Sequence, residues 1–380
     1  MTKEKIEIIA SGILASGMSG TSHATYIFPA FISLSNGMLL ATCRVGSKKD
    51  CDDEKIEIYG SDDNGQTWSK GKNLFTPVKV DGKLGSLKLC YLTEIKKGHI
   101  IAVCMWVDRQ SYPNKPLFNE ETEGCLPMEI LLSDSFDDGK TWTALRKVSL
   151  PDDLGPKSLT GPILKLNDGS IAMTIETNKH YLDGSKWKQR VVIIHSKDSG
   201  KTWEEPITIM EDKSGKIFYW DLRAGVDALG NIVAFSWTYN RETNTYLNIH
   251  QLISSDHGKT WSDPEDIGIT DQPSHPAILQ NGTIVLAWVD RFNSQSIRVR
   301  MASNIDQPLD ENTELVIHSQ KRTTSSTAHT GELLNEMSLW SFGLPYAEVL
   351  RNEDILVMYY AGDEDVLDIH WIRLRIMNQI

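Results

Sequence analysis

Four arginines stand at or near the ends of apolar runs. Arg44 follows Leu39-Leu40-Ala41-Thr42-Cys43, and Arg109 follows Cys104-Met105-Trp106-Val107-Asp108. Arg223 lies in Trp220-Asp221-Leu222-Arg223, and Arg291 follows Trp288-Val289-Asp290. A guanidinium is a rigid fork that grips carboxylates bidentately; the plain alternative for each is a surface ion pair. Glu176, His180, His275 and Asp290 add titratable groups at comparable places, where side chains act as general acids and bases. His180 sits in the polar stretch Thr177-Asn178-Lys179-His180-Tyr181 and has a surface alternative; His275, before Pro276 at a strand start, is better placed. Trp220, Trp237 and Tyr239 offer ring faces on which a sugar can stack. Forks, proton donors and aromatic platforms together are the content of a carbohydrate site for an acidic or deoxy sugar. Pairing a His with a Tyr would instead suit β-elimination on a uronic acid, a lyase reaction.

Composition narrows the partners. The 380 residues hold 39 Lys+Arg against 51 Asp+Glu, a formal net charge of −12. That balance argues against nucleic acid, which needs clustered cations, and against an anionic membrane surface. No run of about 18 apolar residues offers a transmembrane helix. The start, Met1-Thr2-Lys3-Glu4-Lys5, lacks the apolar region of a signal peptide. The five cysteines, Cys43, Cys51, Cys90, Cys104 and Cys125, are odd in number and lack CxxC spacing. Neither structural zinc nor a full disulfide framework is expected, and the expected setting is reducing and cytoplasmic. A secreted chain trimmed of its signal shares these features. No cofactor or metal motif is present, although isolated carboxylates could hold Ca²⁺ unseen.

Repeats must position these residues. The octapeptide Ser-x-Asp-x-Gly-x-Thr-Trp occurs four times: Ser61 to Trp68, Ser135 to Trp142, Ser196 to Trp203 and Ser254 to Trp261. Asp63, Asp137, Asp198 and Asp256 are expected to bind turn amides, Gly to supply positive φ, and Trp to anchor the turn. A second pattern, apolar strand, turn and very apolar strand, occurs six times, beginning near Phe28, Tyr91, Gly161, Ala224, His275 and Leu344. Runs such as Ile284-Val285-Leu286-Ala287-Trp288-Val289 suggest strands buried on both faces. The expected fold is all-β: one six-bladed β-propeller of four-stranded antiparallel blades over residues 1–380. Ile6-Glu7-Ile8-Ile9 is expected to close the ring beside Ile369-His370-Trp371-Ile372-Arg373-Leu374.

The octapeptides resemble the Asp-box (BNR) repeat, and the six strand patterns resemble the sialidase superfamily propeller. That resemblance implies a site over the central channel with an Arg triad, an Asp acid/base, and a Tyr activated by a Glu. In place of the family's Arg-Ile-Pro this chain has Ile27-Phe28-Pro29, so Ile27 replaces the first Arg. The acid/base position resembles Asp50, six residues after Arg44, with Asp52 as fallback. The nucleophile stretch resembles Gly343-Leu344-Pro345-Tyr346-Ala347-Glu348-Val349-Leu350, which points to Tyr346. Its carboxylate partner would be Asp221, nine residues before Gly230, in place of the family's Glu. Trp237 occupies the second Arg position, with Arg241 nearby, and Arg291 or Arg298 would be the third. Losing forks for the sugar carboxylate points away from sialic acid.

The resemblance therefore implies a sialidase-like exo-glycoside hydrolase for an acidic or deoxy sugar. A polysaccharide lyase and a non-catalytic sugar- or protein-binding propeller are the alternatives. Two insertions, near 109–127 and 306–337, break the repeat; such loops serve as lids, binding loops or oligomer contacts, so a homo-oligomer stays open. The second is expected to form a rim over the channel.

Overall fold

The computed structural model describes residues 4–75, 78–321 and 337–378. Much of the second insertion, and so its expected rim, lies outside the described residues. Antiparallel strands follow one another in six blades. The first holds Thr25–Ser33, Leu39–Gly46, Lys55–Ser61 and Lys72–Asn73. The second holds Lys83–Lys96, His99–Asp108, Met128–Ser135 and Arg146–Lys147. In the third, a broken inner strand (Lys157–Leu159, Leu164–Lys165) precedes Ile171–Thr177, Arg190–Ser196 and Ile207–Glu211. The fourth holds Ile217–Val226, Ile232–Asn240, Asn248–Ser254 and Glu265–Thr270. The fifth again has a broken inner strand (Gln272–Pro273, Ala277–Ile278), then Ile284–Asp290, Ser296–Ala302 and Asp310–Ser319. The last runs Phe342–Val349, Ile355–Gly362 and Leu367–Asn378. The fold is an all-β propeller.

The chain start closes the ring as expected. Glu4–Ala15 pairs antiparallel with Leu367–Asn378, in the register Ile6↔Ile376 and Ile8↔Leu374. A parallel bridge, Thr25↔Leu367, ties the last blade to the first. Second strands are the most buried; every residue of Ile284–Asp290 and of Ile171–Thr177 is buried. Apolar side chains on both faces pack against both neighbouring blades, which is why these runs show no alternation.

The four octapeptides build one repeated turn. The Ser hydroxyl donates to an Asp oxygen and accepts the Gly amide, as in Ser254–Asp256 at 2.9 Å and Gly258–Ser254 at 2.8 Å. The Thr hydroxyl donates to the other Asp oxygen, at 2.6–2.7 Å in all four. The indoles of Trp68, Trp142 and Trp261 donate to the Gly carbonyl three residues back; the Trp203 Nε1 is buried without a partner. Two successive residues are left-handed, for example His257 (φ 63°) and Gly258 (φ 83°), and Gly removes the steric cost at the second. Asp256→Ala is expected to lower the melting temperature by about 2–4 °C through the lost turn bonds. A thermal melt checks this, and ligand binding should not change.

The inner strands of the first, fourth and last blades share a bulge that bears on the site. Register shifts fall between Ile27 and Ala30, Trp220 and Arg223, and Gly343 and Tyr346. Within them Phe28, Asp221 and Leu344 take φ of 53°, 49° and 47°, strained values for residues with a side chain. A bulge re-aims side chains, and all three residues line the central cavity.

Candidate functional site

A cavity of about 1380 Å³ opens over the ring centre. It exceeds the roughly 300–1,000 Å³ of small-molecule sites, enough for the end of a glycan chain. Its lining includes the apolar side chains of Ile27, Phe28, Leu89, Met105 and Leu344 and the charged ones of Lys88, Arg109, Glu176, Asp221, Arg223 and Arg291.

Glu176 enters from the end of the buried second strand Ile171–Thr177, whose other side chains are apolar apart from Thr174 and Thr177. It is 8% exposed, and its Oε1 accepts the Leu222 amide at 3.3 Å. Burial, and then the charge of neighbouring Asp221, push its carboxyl up to about 8. A carboxylic acid protonated at neutral pH can donate a proton to a leaving group.

Asp221 begins a polar chain along the cavity. It is bridged to Arg223 at 2.6 Å and accepts from Gln272 at 2.5 Å. Arg223 also donates to the Tyr91 hydroxyl at 2.8 Å. Gln272 accepts from Arg291 at 2.6 Å, and Arg291 pairs with Asp271 at 3.1 Å and lies 4.0 Å from the Trp340 ring centroid. These cross-blade bonds fix the orientation of Asp221.

Asp50 is held by three donors. It accepts from Lys88 at 2.9 Å, Arg109 at 2.7 Å and the Leu117 amide at 2.9 Å. Burial pushes its carboxyl upward, but Lys88 and Arg109 overcome that and hold it well below the usual carboxylate range. Behind it, fully buried Glu54 pairs with Arg44 at 3.4 Å, with Lys88 at 3.2 Å and with Arg109.

No family model matches the chain, and no curated protein does. Solved structures do. A protein of unknown function from Dyadobacter fermentans is 19% identical with a TM-score of 0.73, over 98% of this chain and 99% of that one. The intramolecular trans-sialidase from Ruminococcus gnavus, in complex with oseltamivir carboxylate, is 13% identical with a TM-score of 0.65, over 98% of each chain. A Hadza microbial sialidase is 16% identical with a TM-score of 0.66, over 93% of this chain and 66% of that one. The fold is sialidase-like.

On this scaffold the expected site residues divide. Glu176, Asp221, Arg223, Arg109, Arg291, Trp237 and Asp50 line one cavity. Several others do not reach it. Tyr346 is 2% exposed and stacks on His275 at 4.7 Å and Tyr91 at 6.2 Å; neither Tyr346 nor His275 is on the cavity wall. The expected Tyr346–Asp221 pairing is replaced by Asp221–Arg223–Tyr91. The His–Tyr pairing thus exists, but as a stack sealed beneath the cavity. Arg44 is fully buried and braces the loop carbonyl of Lys48 at 2.6 Å. Asp290 caps its own turn through Asn293 and Ser294, and His180 is exposed outside the cavity. Arg241 grips Glu123 at 2.9 Å, and Arg298 bridges to Glu314. Trp220 and Trp237 are only 5% and 2% exposed. Each is stacked by a tyrosine, Tyr239 at 5.0 Å and Tyr246 at 4.9 Å, so little ring face remains for a sugar.

Lys49, Lys88, Tyr91, Gln272 and Trp340 belong to the site but were not singled out from the sequence. Lys88 carried a signal, as the lone charge in the apolar run Leu87-Lys88-Leu89.

His275 predicts an acid-stability effect. Burial, reinforced by Arg223, pushes its imidazole down from 6.5 to about 3. The unfolded chain binds the extra proton in that window, so stability is lost as pH falls from about 6.5 towards 3. Denaturant midpoints across this range should drop for the wild type and drop less for His275→Gln.

Proposed function

We propose that the chain is a sialidase-like glycoside hydrolase whose cavity takes the end of a glycan carrying an acidic or deoxy sugar. The observation that carries this is Glu176, a carboxyl protonated near neutral pH beside a fixed Asp221 at the wall of a deep cavity. Glu176 protonates the departing glycosidic oxygen. Asp221, steadied by Arg223 and Gln272, serves as nucleophile or as base for water, the second carboxylate of the usual glycosidase pair. Tyr346, buried and stacked, is not the nucleophile in this reading. Lys88, Arg109, Arg223 and Arg291 stand at the cavity as hydrogen-bond donors for a sugar, each already paired with a carboxylate. Ile27, where the family's first Arg would stand, offers no fork for a sugar carboxylate, which disfavours sialic acid, and with Phe28 and Leu344 it offers apolar contact to a deoxy sugar. Residues 1–380 act as one unit in this proposal. The test is a panel of aryl glycosides and acidic and deoxy oligosaccharides, run with wild type, Glu176→Gln and Asp221→Asn. Turnover by wild type alone supports the reading. Equal turnover by Glu176→Gln sinks it, and binding without turnover on the whole panel favours the binding propeller.

A further inference from the structure

We propose that Lys49 and Asp50, neighbours in the first-blade loop, are positioning residues that each hold one wall of the cavity. This rests on Glu176 being the proton donor, because Asp50 is thereby released from that role.

Asp50 holds the wall formed by the 109–127 insertion. Its Oδ2 accepts the Leu117 amide at 2.9 Å, while its Oδ1 takes Arg109 and Lys88. Leu117 and Phe118 then line the cavity. Beyond them the insertion folds back on itself and onto the third blade. Leu126 donates to the Leu117 carbonyl at 2.9 Å, Cys125 to that of Lys179 at 3.0 Å, and Asn119 Nδ2 to that of Tyr181 at 2.9 Å. Asp50 thus bonds the first blade to the tip of a loop that is also tied to the third blade and, through Glu123 and Arg241, to the fourth.

Lys49 holds the other wall. Its Nζ donates to the carbonyls of Met337 at 2.8 Å and Trp340 at 2.6 Å, and to the Tyr360 hydroxyl at 3.1 Å. Those carbonyls belong to the first residue of the 3₁₀ turn Met337–Leu339 and to the residue after it, and Trp340 covers Arg291. The loop bearing both residues is itself braced from below. Arg44 donates to the Lys48 and Lys49 carbonyls, and Lys88 donates to the Lys49 carbonyl at 3.1 Å. Arg44 and Lys88 are both anchored on buried Glu54. The braced loop therefore sends two adjacent side chains to two separate segments of the cavity lining, the 109–127 insertion and the turn at 337–340. A carboxylate whose two oxygens already accept three donors is suited to holding, not to carrying a transferable proton.

The test is hydrogen exchange followed by mass spectrometry on wild type, Asp50→Asn and Lys49→Met, with kinetics on an active panel substrate. Asp50→Asn should speed exchange across 115–126 at least tenfold and leave 337–341 unchanged; Lys49→Met should do the reverse. In Asp50→Asn, KM should rise about tenfold, kcat should stay within about threefold, and the alkaline limb of the pH profile should not move. Unchanged exchange in both segments overturns the proposal, as does uniform loosening of the whole ring in either variant. A hundredfold kcat loss in Asp50→Asn at unchanged KM, shrinking with better leaving groups, would make Asp50 the donor. Full turnover by Glu176→Gln would instead refute the donor assignment and leave the exchange results to judge the clamp.

Discussion

Glu176→Gln is expected to lower turnover by roughly 10²–10⁴-fold while ligand binding persists, because the amide keeps the shape and loses the proton. The same assignment sets a pH profile. A general acid works only while protonated, and burial with Asp221's charge places the Glu176 carboxyl at about 8. Wild-type kcat/KM should therefore fall as pH rises through about 8. Stability follows the same sign. The folded state keeps a proton that the unfolded chain releases from 4.5 upward, so wild-type stability declines between about 4.5 and 8. Glu176→Gln, with no such proton, should gain on the wild type across that window. A variant that keeps both full turnover and the alkaline limb would show that another group donates the proton.

The second large effect concerns Glu54. Its side chain is fully buried and neutralises Arg44, Lys88 and Arg109 together, with Ser86 donating at 2.8 Å. Removing one partner of a buried ion cluster leaves charge without compensation, and such losses cost roughly 3–5 kcal/mol. Glu54→Ala should therefore lose about that much unfolding free energy in denaturant titrations. It should also release the loop bearing Lys49 and Asp50, because Arg44 and Lys88 reach the loop carbonyls only while held. A loss below 1 kcal/mol would mean that water or a shifted Asp50 replaces Glu54 without difficulty.

The architecture was legible because its signals are local. Four octapeptides specify the same side-chain-to-backbone turn within eight residues, and second strands such as Ile284–Asp290 are apolar throughout because both faces are covered. Even the closing strand could be found, since Ile6-Glu7-Ile8-Ile9 had no neighbour in sequence to pair with. The site was legible only in part, because its chemistry depends on pairings between blades. Asp50 looks like an acid in its loop. Burial would raise its carboxyl, and only the approach of Lys88 and Arg109 from the second blade holds it below the usual carboxylate range. Tyr346 fits the nucleophile stretch in sequence, yet His275 from the fifth blade and Tyr91 from the second enclose it. Glu176 was legible only as one of four added titratable groups, with His180, His275 and Asp290. Its raised proton affinity comes first from burial that no local pattern records and then from Asp221 on the next blade. Trp220 and Trp237 were read as open platforms, and the tyrosines that cover them come from elsewhere in the same blade.

The most direct test of hydrolysis at this cavity is turnover of an acidic or deoxy oligosaccharide in ¹⁸O-water, with products identified by mass spectrometry. The expected result is a released sugar carrying ¹⁸O at its anomeric carbon with wild type, and about a hundredfold or more less of it with Glu176→Gln. An unsaturated sugar without the label, absorbing in the near ultraviolet, would contradict hydrolysis and place the protein among the lyases.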